Sequence, residues 1–377
     1  MDALTTPSNW QRVRLGDICE IVKGQQINKI SLNNTDKYPV INGGIDFLGY
    51  TNKFNVSKNT IAISEGGTCG YVRFMKSDFW SGGHNYSLQK ISNKVNNLCL
   101  YHILKSYEKD IMKLGVGSGL KNIQLKALKD FEIPLPPLNE QIAIANILSA
   151  LDRYLYALRA LILKKESVKK ALSFELLSQR KRLKGFNQNW QRVRLGDIGK
   201  PCMCKRVMKH QTTRYGEIPF YKIGTFGNTA DAFISKKLFL EYKTKYSFPK
   251  KGDILISASG TIGRAVIYDG KPAYFQDSNI VWIDNDETLV KNDFLFYAYS
   301  NIKWNTEHTT ILRLYNDNFR NTLIPLPPLN EQIAIANILS ALDHEIISLK
   351  NKKRQFENIK KALNHDLMSA KIRVLNK

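Results

Sequence analysis

Two glycine-rich turns hold the small residues best suited to approach a phosphate or the edge of a base. Gly67 and Thr68 lie in the first turn, and Ser259, Gly260 and Thr261 lie in the second; each falls between two runs of β-forming residues. Glycine lets the backbone approach a ligand closely because it has no Cβ. We therefore predict a contact at both turns, with ordinary tight turns as an equal alternative. The Gly-x-x-Gly spacing of RNA-binding KH domains is disfavoured here, because that motif belongs between helices.

Side chains of the types that read bases follow each turn further along the chain. His84 and Asn85 follow the first turn, and the second is followed by Gln276, Asp277, Ser278 and Asn279. Asn and Gln pair with adenine in the major groove of DNA, and Ser pairs with several bases. Because the same residue types also form turns and caps, each of these residues has a structural alternative.

Basic and amide residues elsewhere in the sequence form a further set of candidate contacts. The set is Lys121, Asn122, Lys205, Arg206, Lys209, Arg214, Arg264, Arg313, Asn316, Asn318 and Arg320. The whole chain has 56 Lys and Arg residues against 33 Asp and Glu, a formal net charge of +23. An excess of this size predicts an anionic partner, and double-stranded DNA is the first candidate. Any single lysine among so many charges has simple solvation as its alternative.

Motifs for catalysis are missing from the sequence. It has no Walker loop, no His-Glu-x-x-His, no Gly-x-Ser-x-Gly and no Asn-Pro-Pro-aromatic motif of adenine methyltransferases. Cys202 and Cys204 have no second cysteine pair or histidine cluster with which to hold zinc. We therefore predict a non-catalytic protein with no metal, cofactor or small-molecule substrate. With no run of about eighteen apolar residues, we expect a soluble, cytoplasmic protein without a membrane partner.

The sequence blocks that should position these residues each occur twice in the chain. The block IPLPPLNEQIAIANILSALD stands at 133–152 and again at 324–343, and NWQRVRLGDI stands at 9–18 and 189–198. Alternating apolar residues predict a strand in each opening block, and the prolines predict an extended exit strand in each long block. A long helix should follow each exit strand. In the first copy Asn139 suits the N-cap and Gly185 the C-cap.

Apolar residues in both predicted helices recur at intervals of four and three, the pattern of a coiled-coil seam. The two sets are Leu148, Leu151, Leu155, Leu158, Leu172 and Leu176 in the first helix and Leu339, Leu342, Ile346, Leu349, Leu363 and Leu367 in the second. Lys169 and Lys360 occupy the same seam position, where a polar residue lowers stability but fixes the register. We predict that the helices pack on each other antiparallel; two separate surface helices are the alternative.

The predicted fold class is α+β. It has two mixed α/β domains with pseudo-twofold symmetry, separated by two long helices packed as an antiparallel coiled coil. The predicted domains are 1–138, a first globular domain; 139–185, a central helix; 186–329, a second globular domain; and 330–377, a distal helix. Unlike domains in identical frames present two different surfaces. If both surfaces read DNA, the target is bipartite and non-palindromic, and the coiled coil sets the separation of its halves.

The duplicated blocks, together with GDILISASGTIG at 252–263, resemble the specificity (S) subunit of type I restriction-modification systems. The resemblance covers essentially the whole chain, with four motifs in the family's order. It implies a non-catalytic subunit in which each target-recognition domain reads one half of a split site. It also implies protein partners: two adenine-methylating M subunits and two restriction (R) subunits that translocate and cleave DNA.

The first turns of both helices are apolar nearly all round, which predicts contact with a domain on one side and with a further partner on another. The candidates for docking partner subunits are Glu140, Gln141, Ile142, Glu331, Gln332 and Ile333. Two other functions fit parts of the pattern: a free-standing DNA-binding architectural protein and a coiled-coil assembly scaffold. DNA binding that weakens steeply with salt would exclude the scaffold. Sequence-specific adenine methylation with the M subunit would single out the specificity subunit.

Overall fold

The computed structural model describes residues 9–304 and 313–374. Contacts within the chain divide it into two compact units. Unit 1 comprises the described residues up to Ala160 together with those from Lys350 onward, and unit 2 comprises the described residues of Leu161–Leu349. Each unit therefore contains one globular domain and a part of both long helices.

Unit 1 is built from short strands in small sheets. Its strands are β1 Gln11–Arg14, β2 Glu20–Lys23, β3 Tyr38–Ile41, β4 Gly49–Thr51, β5 Thr60–Ser64, β6 Val72–Met75, β7 Trp80–Ser81, β8 Asn85–Gln89, β9 Gly115–Val116, β10 Asn122–Ile123 and β11 Glu132–Leu135. Its helices are α1 Leu15–Ile18, α2 Asn97–Ser106, α3 Glu108–Lys113, α4 Leu125–Lys129 and α5 Leu138–Leu177, which continues into unit 2. The sheet orders are β2-β8-β5-β6, β4-β3-β7, β1-β11 and β9-β10. All pairings are antiparallel except that of β3 with β7.

Unit 2 repeats this plan with different sequences in the loops. Its strands are β12 Gln191–Arg194, β13 Gly199–Met203, β14 Ile218–Tyr221, β15 Ala232–Ile234, β16 Ile254–Ser257, β17 Ala265–Ile267, β18 Tyr274–Phe275, β19 Ile280–Asn285 and β20 Leu323–Leu326. Its helices are α6 Leu195–Ile198, α7 Lys236–Lys245, α8 Asn292–Ala298, α9 Asn316–Asn321 and α10 Leu329–Met368, which continues into unit 1. The sheet orders β13-β19-β16-β17, β15-β14-β18 and β12-β20 correspond to those of unit 1.

The duplicated blocks form the same strand pair in both units. β1 pairs antiparallel with β11, from Gln11 opposite Leu135 to Arg14 opposite Glu132, and β12 pairs with β20 in the same way. This confirms the predicted opening strands and proline strands. Pro134 fits because a two-stranded pair consists only of edge strands, where a missing N–H is tolerated.

The long helices begin one residue before the predicted segments, so the predicted N-cap at Asn139 is wrong, and the first helix ends sooner. α5 starts at Leu138, and Asn139 lies in its first turn, where its Oδ1 accepts the N–H of Glu140 (2.9 Å). The predicted end at Gly185 is wrong, because α5 stops at Leu177 and Gln179 turns left-handed with φ of 61°. At about 1.5 Å per residue, each 40-residue helix is about 60 Å long.

The predicted seam residues all lie away from solvent. Six are fully buried, and these are Leu148, Leu158, Leu176, Leu339, Ile346 and Leu367; the other six are half-buried, and these are Leu151, Leu155, Leu172, Leu342, Leu349 and Leu363. Leu148 and Leu367 also belong to the core of the globular domain in unit 1, as Leu176 and Leu339 do in unit 2. Within each unit the seam is thus continuous with the core of the domain.

The two seam lysines pair with aspartates on the opposite helix. In unit 1 Nζ of Lys360 donates to Oδ1 of Asp152, and in unit 2 Nζ of Lys169 donates to Oδ1 of Asp343 (2.5 Å). Both pairs join an early residue of one helix to a late residue of the other, so the helices run antiparallel within each unit. The side chains are only about a quarter to a third exposed. A register shift would leave these charges without partners in a poorly solvated place.

A polar residue on each domain helix meets the seam beside these pairs. In unit 2 the Tyr297 hydroxyl donates to Oδ2 of Asp343 (2.9 Å). In unit 1 the residue facing the seam is His102, which is 3% exposed and has Nε2 3.5 Å from Oγ of Ser149. Burial lowers the pKa of His102 from its usual 6.5 to about 4. The imidazole is therefore neutral at neutral pH.

No helix in the described part of the chain is both long enough and apolar enough to cross a membrane.

The seam pair of unit 1 gives a first testable prediction. We expect Lys360→Met to lower the free energy of unfolding by about 2 kcal/mol, because it leaves Asp152 half-buried without a partner. The double variant Lys360→Met/Asp152→Leu should recover part of this loss, since it removes both charges. The measurement is urea unfolding of the full chain. Lys165→Met is the control: it breaks the more exposed pair with Glu345 and should cost about 0.5 kcal/mol or less. Equal losses in the two single variants would contradict the prediction.

His102 gives a prediction about pH. Its folded-state pKa of about 4 lies below the usual 6.5, so the unfolded chain binds the proton more readily. The stability that neutral His102 contributes is complete above about pH 6.5 and is lost as the pH falls towards 4. His102→Tyr places a tyrosine here, as Tyr297 does in unit 2. Between pH 7 and pH 4 we expect this variant to lose up to about 3 kcal/mol less unfolding free energy than the wild-type chain, measured by urea unfolding. His344→Tyr, at an exposed position of α10, is the control. Its free energy of unfolding should change with pH as in the wild-type chain. If the free energy of unfolding of His102→Tyr changes with pH as it does in the wild-type chain, the prediction is wrong.

Candidate nucleic-acid interface

The turn between β5 and β6 places Gly67 and Thr68 at the edge of the largest sheet of unit 1. Gly67 (φ 69°) and Gly70 (φ 83°) adopt the left-handed conformation that favours glycine. The N–H of Gly70 donates to the carbonyl of Ser64 (2.8 Å) and closes the turn. A Cβ on Gly67 would lie 2.9 Å from the carbonyl oxygen of Gly43. The turn therefore requires glycine and holds its backbone at the surface.

His84 and Asn122 lie beside this turn. The N–H of Glu65 donates to the carbonyl of His84 (2.9 Å), which joins the two loops. A Cβ on Gly66 would clash with Oδ1 of Asn122 and lie 3.7 Å from Nδ1 of His84. His84, Asn122 and the neighbouring Lys121 are all exposed. Donors, acceptors and a positive charge thus surround one rigid turn.

Asn85 does not belong to this surface. Its side chain is 2% exposed, and its Oδ1 accepts a hydrogen bond from Oγ of Ser64 (3.5 Å). A side chain buried in this way cannot reach a base. The buried position of Asn85 therefore disagrees with the prediction that it contacts DNA. Unit 1 brings together five of its six predicted residues, and these are Gly67, Thr68, His84, Lys121 and Asn122.

The turn between β16 and β17 repeats this geometry in unit 2. Gly260 (φ 65°) and Gly263 (φ 83°) are left-handed, and the N–H of Gly263 donates to the carbonyl of Ser257 (2.9 Å). Gly260 and Thr261 are exposed at its tip. The torsions and the closing hydrogen bond match those of unit 1 to within a few degrees and 0.1 Å, so the two turns share one backbone frame.

The loops around the second turn also match those of unit 1. The N–H of Ala258 donates to the carbonyl of Asn279 (2.7 Å), just as Glu65 donates to His84 in unit 1. The N–H of Leu314 donates to the carbonyl of Ala258 (2.8 Å) and places the exposed Arg313 beside the turn. The backbone frame is therefore common to both units, while the side chains that it carries differ.

Several predicted contacts of unit 2 instead hold the loops in place. Oγ of Ser259 donates to Oδ1 of Asn279 (2.6 Å), and Ser259 is 5% exposed. Oε1 of Gln276 accepts the N–H of Ile223 (2.9 Å), and Arg264 donates to a carbonyl in the loop after β14 (2.9 Å). The buried Ser259 is therefore at odds with its predicted role as a DNA contact. Gln276 and Asn279 are half-buried and partly committed to the loops.

Arg206 and Asp277 form an ion pair at the edge of this cluster. The distance from Nε to Oδ2 is 3.0 Å, and the arginine side chain is 66% exposed against 15% for the aspartate. The pair holds Asp277 close to the protein and fixes the guanidinium at the surface beside the exposed Ser278. The other basic residues of this segment, Lys205, Lys209 and Arg214, are also exposed.

The last three predicted residues of unit 2 lie on α9. Asn316 is exposed in the first turn of α9, and Asn318 lines a groove that contains Phe174 of α5. The side chain of Arg320 packs over Gly196 of α6, where an added Cβ would lie 3.2 Å from Cβ of Arg320. Asn318 and Arg320 are therefore placed against α5 and α6 rather than at the glycine turn.

The glutamates predicted to dock a partner are instead joints inside each unit. Glu140 is 2% exposed; it accepts the indole N–H of Trp10 (3.2 Å) and two hydrogen bonds from Arg373 (2.8 and 3.0 Å). Glu331, 1% exposed, accepts the same bonds from Trp190 (3.0 Å) and Arg182 (2.9 Å each). One sequence signal could have predicted this joint. Each opening block contains a tryptophan and each long block contains a glutamate, so both partners occur twice in the chain. The requirement for Arg182 at this joint explains why α5 ends before the basic segment that contains it.

The neighbouring glutamines complete each joint. Oε1 of Gln141 accepts the N–H of Asn96 (2.7 Å), and its Nε2 donates to the carbonyl of Pro136 (2.7 Å). Gln332 makes the corresponding bonds to Lys291 (2.8 Å) and Pro327 (2.9 Å). Because both glutamines are almost completely buried, neither can meet a partner directly.

The remaining docking candidates are open to solvent. Ile142 is 44% exposed and Ile333 is 45% exposed, each at the start of its long helix. Leu138 and Leu329, one turn earlier, are 41% and 39% exposed. Each helix thus carries an exposed apolar pair of identical sequence on its first turns, and docking at these pairs stays a prediction.

Comparison with known families gives a match over most of the chain. The model described as the type I restriction modification DNA specificity domain matches residues 7–166 and again residues 187–358. The two matches follow the internal repeat, one for each copy.

Similar proteins of known sequence and structure agree with this match. A protein from Haemophilus influenzae, assigned as the specificity subunit of a type I restriction enzyme, is 41% identical over 323 residues, which cover 80% of this chain and 81% of that protein. A type I restriction enzyme specificity subunit from Methanocaldococcus jannaschii is 27% identical over 411 aligned residues, covering 100% and 96%. The crystal structure of a type I restriction-modification S subunit from M. genitalium has the same fold, with a TM-score of 0.72, 24% identity and 97% coverage of both chains.

The joint in unit 2 gives a prediction for stability. We expect Glu331→Ala to lower the free energy of unfolding by about 3 kcal/mol, because it leaves the Arg182 guanidinium and the Trp190 indole without their buried acceptor. The measurement is urea unfolding of the full chain followed by tryptophan fluorescence. Glu241→Ala breaks an exposed pair with Lys245 on α7 and should cost about 0.5 kcal/mol or less. Unfolding of the two variants at the same urea concentration would show that the joint does not stabilise unit 2.

Proposed function

The chain belongs to the family of type I restriction-modification DNA specificity proteins, and from this premise we propose that it reads a bipartite, asymmetric DNA site. In this proposal the globular domain of each unit recognises one half of the site. The target-recognition domains are 1–138 and 186–329, and the helical segments 139–185 and 330–377 set the distance between the half-sites. The relatives are named specificity subunits, so the chain has the non-catalytic role that its sequence predicts.

The observation that carries the proposal is one backbone frame built twice with different side chains. The glycine turns of both units share their torsions and their closing hydrogen bonds. At matched positions around these turns unit 1 has His84 and Asn122, whereas unit 2 has Asn279 and Arg313. Identical frames favour an equivalent approach to DNA, and unlike side chains favour different bases. A non-palindromic target follows from this arrangement.

We expect two kinds of contact with DNA: contacts to phosphates that position the protein, and contacts to base edges that read the sequence. Lys121, Lys205, Arg206, Lys209 and Arg214 are exposed cations and suit phosphate contacts, which fix the position but carry no sequence information. The exposed loop residues suit base edges, and these are Gly67, His84, Asn122, Gly260, Thr261, Ser278 and Arg313; Thr68 is half-buried beside them. Asn85 and Ser259 act beneath this surface by holding the loops.

The identical starts of the long helices suit a partner present in two copies. Leu138 and Ile142 on α5, and Leu329 and Ile333 on α10, expose matching apolar surface on one helical turn. We assign these positions to the docking of two methyltransferase subunits. Two restriction subunits complete the assembly that the family resemblance implies. The chemistry on DNA belongs to these partners, and the present chain selects the site.

Exchange of one recognition segment tests whether each globular domain recognises one half-site. We expect replacement of 19–132 by the corresponding segment of another family member to change one half-site of the methylated sequence and to leave the other half and the spacer intact. The strand pairs β1–β11 and β12–β20 have the same register, so the joints of the exchanged segment are preserved. The measurement is adenine methylation mapping of DNA from cells that carry the chain with its methyltransferase subunits.

The reciprocal exchange is the control. Replacement of 199–323, the corresponding segment of unit 2, should change only the other half-site. A chimera altered in both halves would contradict the proposal, and so would methylation that is independent of this chain.

A further inference from the structure

The loop between β3 and β4, residues 42–48, lies beside the candidate interface of unit 1 and contains none of the predicted contact residues. Oδ1 of Asn42 accepts the N–H of His84 (3.0 Å), and the carbonyl of Gly43 accepts the N–H of Thr68 (2.8 Å). Gly43 is left-handed (φ 81°), and a Cβ there would lie 2.5 Å from the backbone of the glycine turn. The loop is thus a third part of the same surface.

The tip of this loop exposes apolar side chains in a braced conformation. Ile45 is 55% exposed and Phe47 is 44% exposed. Arg73 of β6 donates to the carbonyls of Gly44 (3.2 Å) and Ile45. Its guanidinium lies 5.2 Å from the centre of the Phe47 ring and 5.3 Å from that of Tyr71, within the range of cation–π attraction. The apolar tip is therefore fixed before any partner arrives.

A pair of apolar side chains on a braced loop beside polar, base-reading groups indicates a specific apolar contact. Single exposed apolar residues are common on protein surfaces, but this pair is continuous with the candidate interface. The major groove of DNA presents one apolar group, the C5-methyl of thymine, and apolar side chains including Phe contact it. We propose that Ile45 and Phe47 recognise thymine methyl groups in the half-site that unit 1 reads. This inference rests on the proposed function.

The corresponding loop of unit 2 has a different character. It joins β14 to β15, and its aromatic residue Phe226 is 1% exposed, turned into the core. Arg264 donates to the carbonyl of Phe226 (2.9 Å), so this loop too is braced by an arginine. The exposed positions here include Gly224, Gly227 and Asn228. The braced apolar tip, and with it the thymine contact, therefore belongs to unit 1 and its half-site.

The test uses the full chain assembled with methyltransferase subunits and a library of duplex DNA with randomised half-sites. At fixed salt, Ile45→Ala and Phe47→Ala should weaken the selection of thymine over cytosine within one half-site only. The expected change is about fourfold for each thymine methyl group that the variant no longer touches. Phe47→Leu keeps an apolar side chain and should retain most of the preference. Replacement of the selected thymine by uracil should weaken binding by the wild-type complex about fourfold, because uracil lacks the methyl group, and leave the alanine variants nearly unaffected.

Phe54→Ala is the matched control in the same unit. Phe54 is 46% exposed, like Phe47, but its ring packs on Tyr38 with the ring centres 4.9 Å apart. Tyr38 pairs with Thr51, at the end of the β3–β4 ladder opposite to the loop. This variant should keep the wild-type selection in both half-sites.

The outcomes separate this inference from the function on which it rests. If the wild-type complex selects a bipartite sequence and both alanine variants keep its full thymine preference, the inference is wrong and the proposed function stands. If the wild-type complex selects no sequence at all, the proposed function fails. Alanine variants that no longer assemble with the methyltransferase subunits would show that the loop docks protein, and this too would overturn the inference.

Discussion

One buried carboxylate in each unit holds together three segments that are distant in sequence. Glu140 joins the start of α5 to Trp10 before the first strand and to Arg373 beyond the end of α10. Glu331 does the same in unit 2 with its own tryptophan and arginine. Because an ionised carboxylate is stable inside a protein only when its hydrogen bonds are satisfied, none of the three segments can move alone. The joint therefore fixes where the domain, the helix start and the helix tail meet.

A rigid joint explains how the loops of each unit can differ while the frame stays the same. The glycine turns and their closing hydrogen bonds involve backbone atoms, which do not depend on the neighbouring side chains. His84 and Asn122 of unit 1, which correspond to Asn279 and Arg313 of unit 2, can therefore change without changing the path of the chain. Residues beneath them, such as Ser259, hold the loops from inside. In the same cluster, exposed residues can thus vary while buried residues keep the loops in place.

The seam of the long helices was predictable to the level of single residues. Lys169 and Lys360 interrupt an apolar pattern with a short period, and a short period is read from local sequence. Each lysine pairs with an aspartate on the other helix, as a register-setting residue should. The end of α5 was not predictable in the same way. Gly185 offers an obvious local stop, but the helix ends at Leu177, because Arg182 must leave it to reach its distant partner.

Local patterns in the chain were enough to predict the repeat, the two long helices and the glycine turns, because periodicity and the left-handed preference of glycine involve only near neighbours. Which polar and apolar side chains face outward could be seen only in the folded chain. Asn85 has the chemistry of a base-reading residue but is buried, whereas Ile45 and Phe47 have the chemistry of a core but are exposed. Burial depends on contacts between residues far apart in the chain, and in unit 1 those contacts come from Arg73 and from the loops that meet at Asn42.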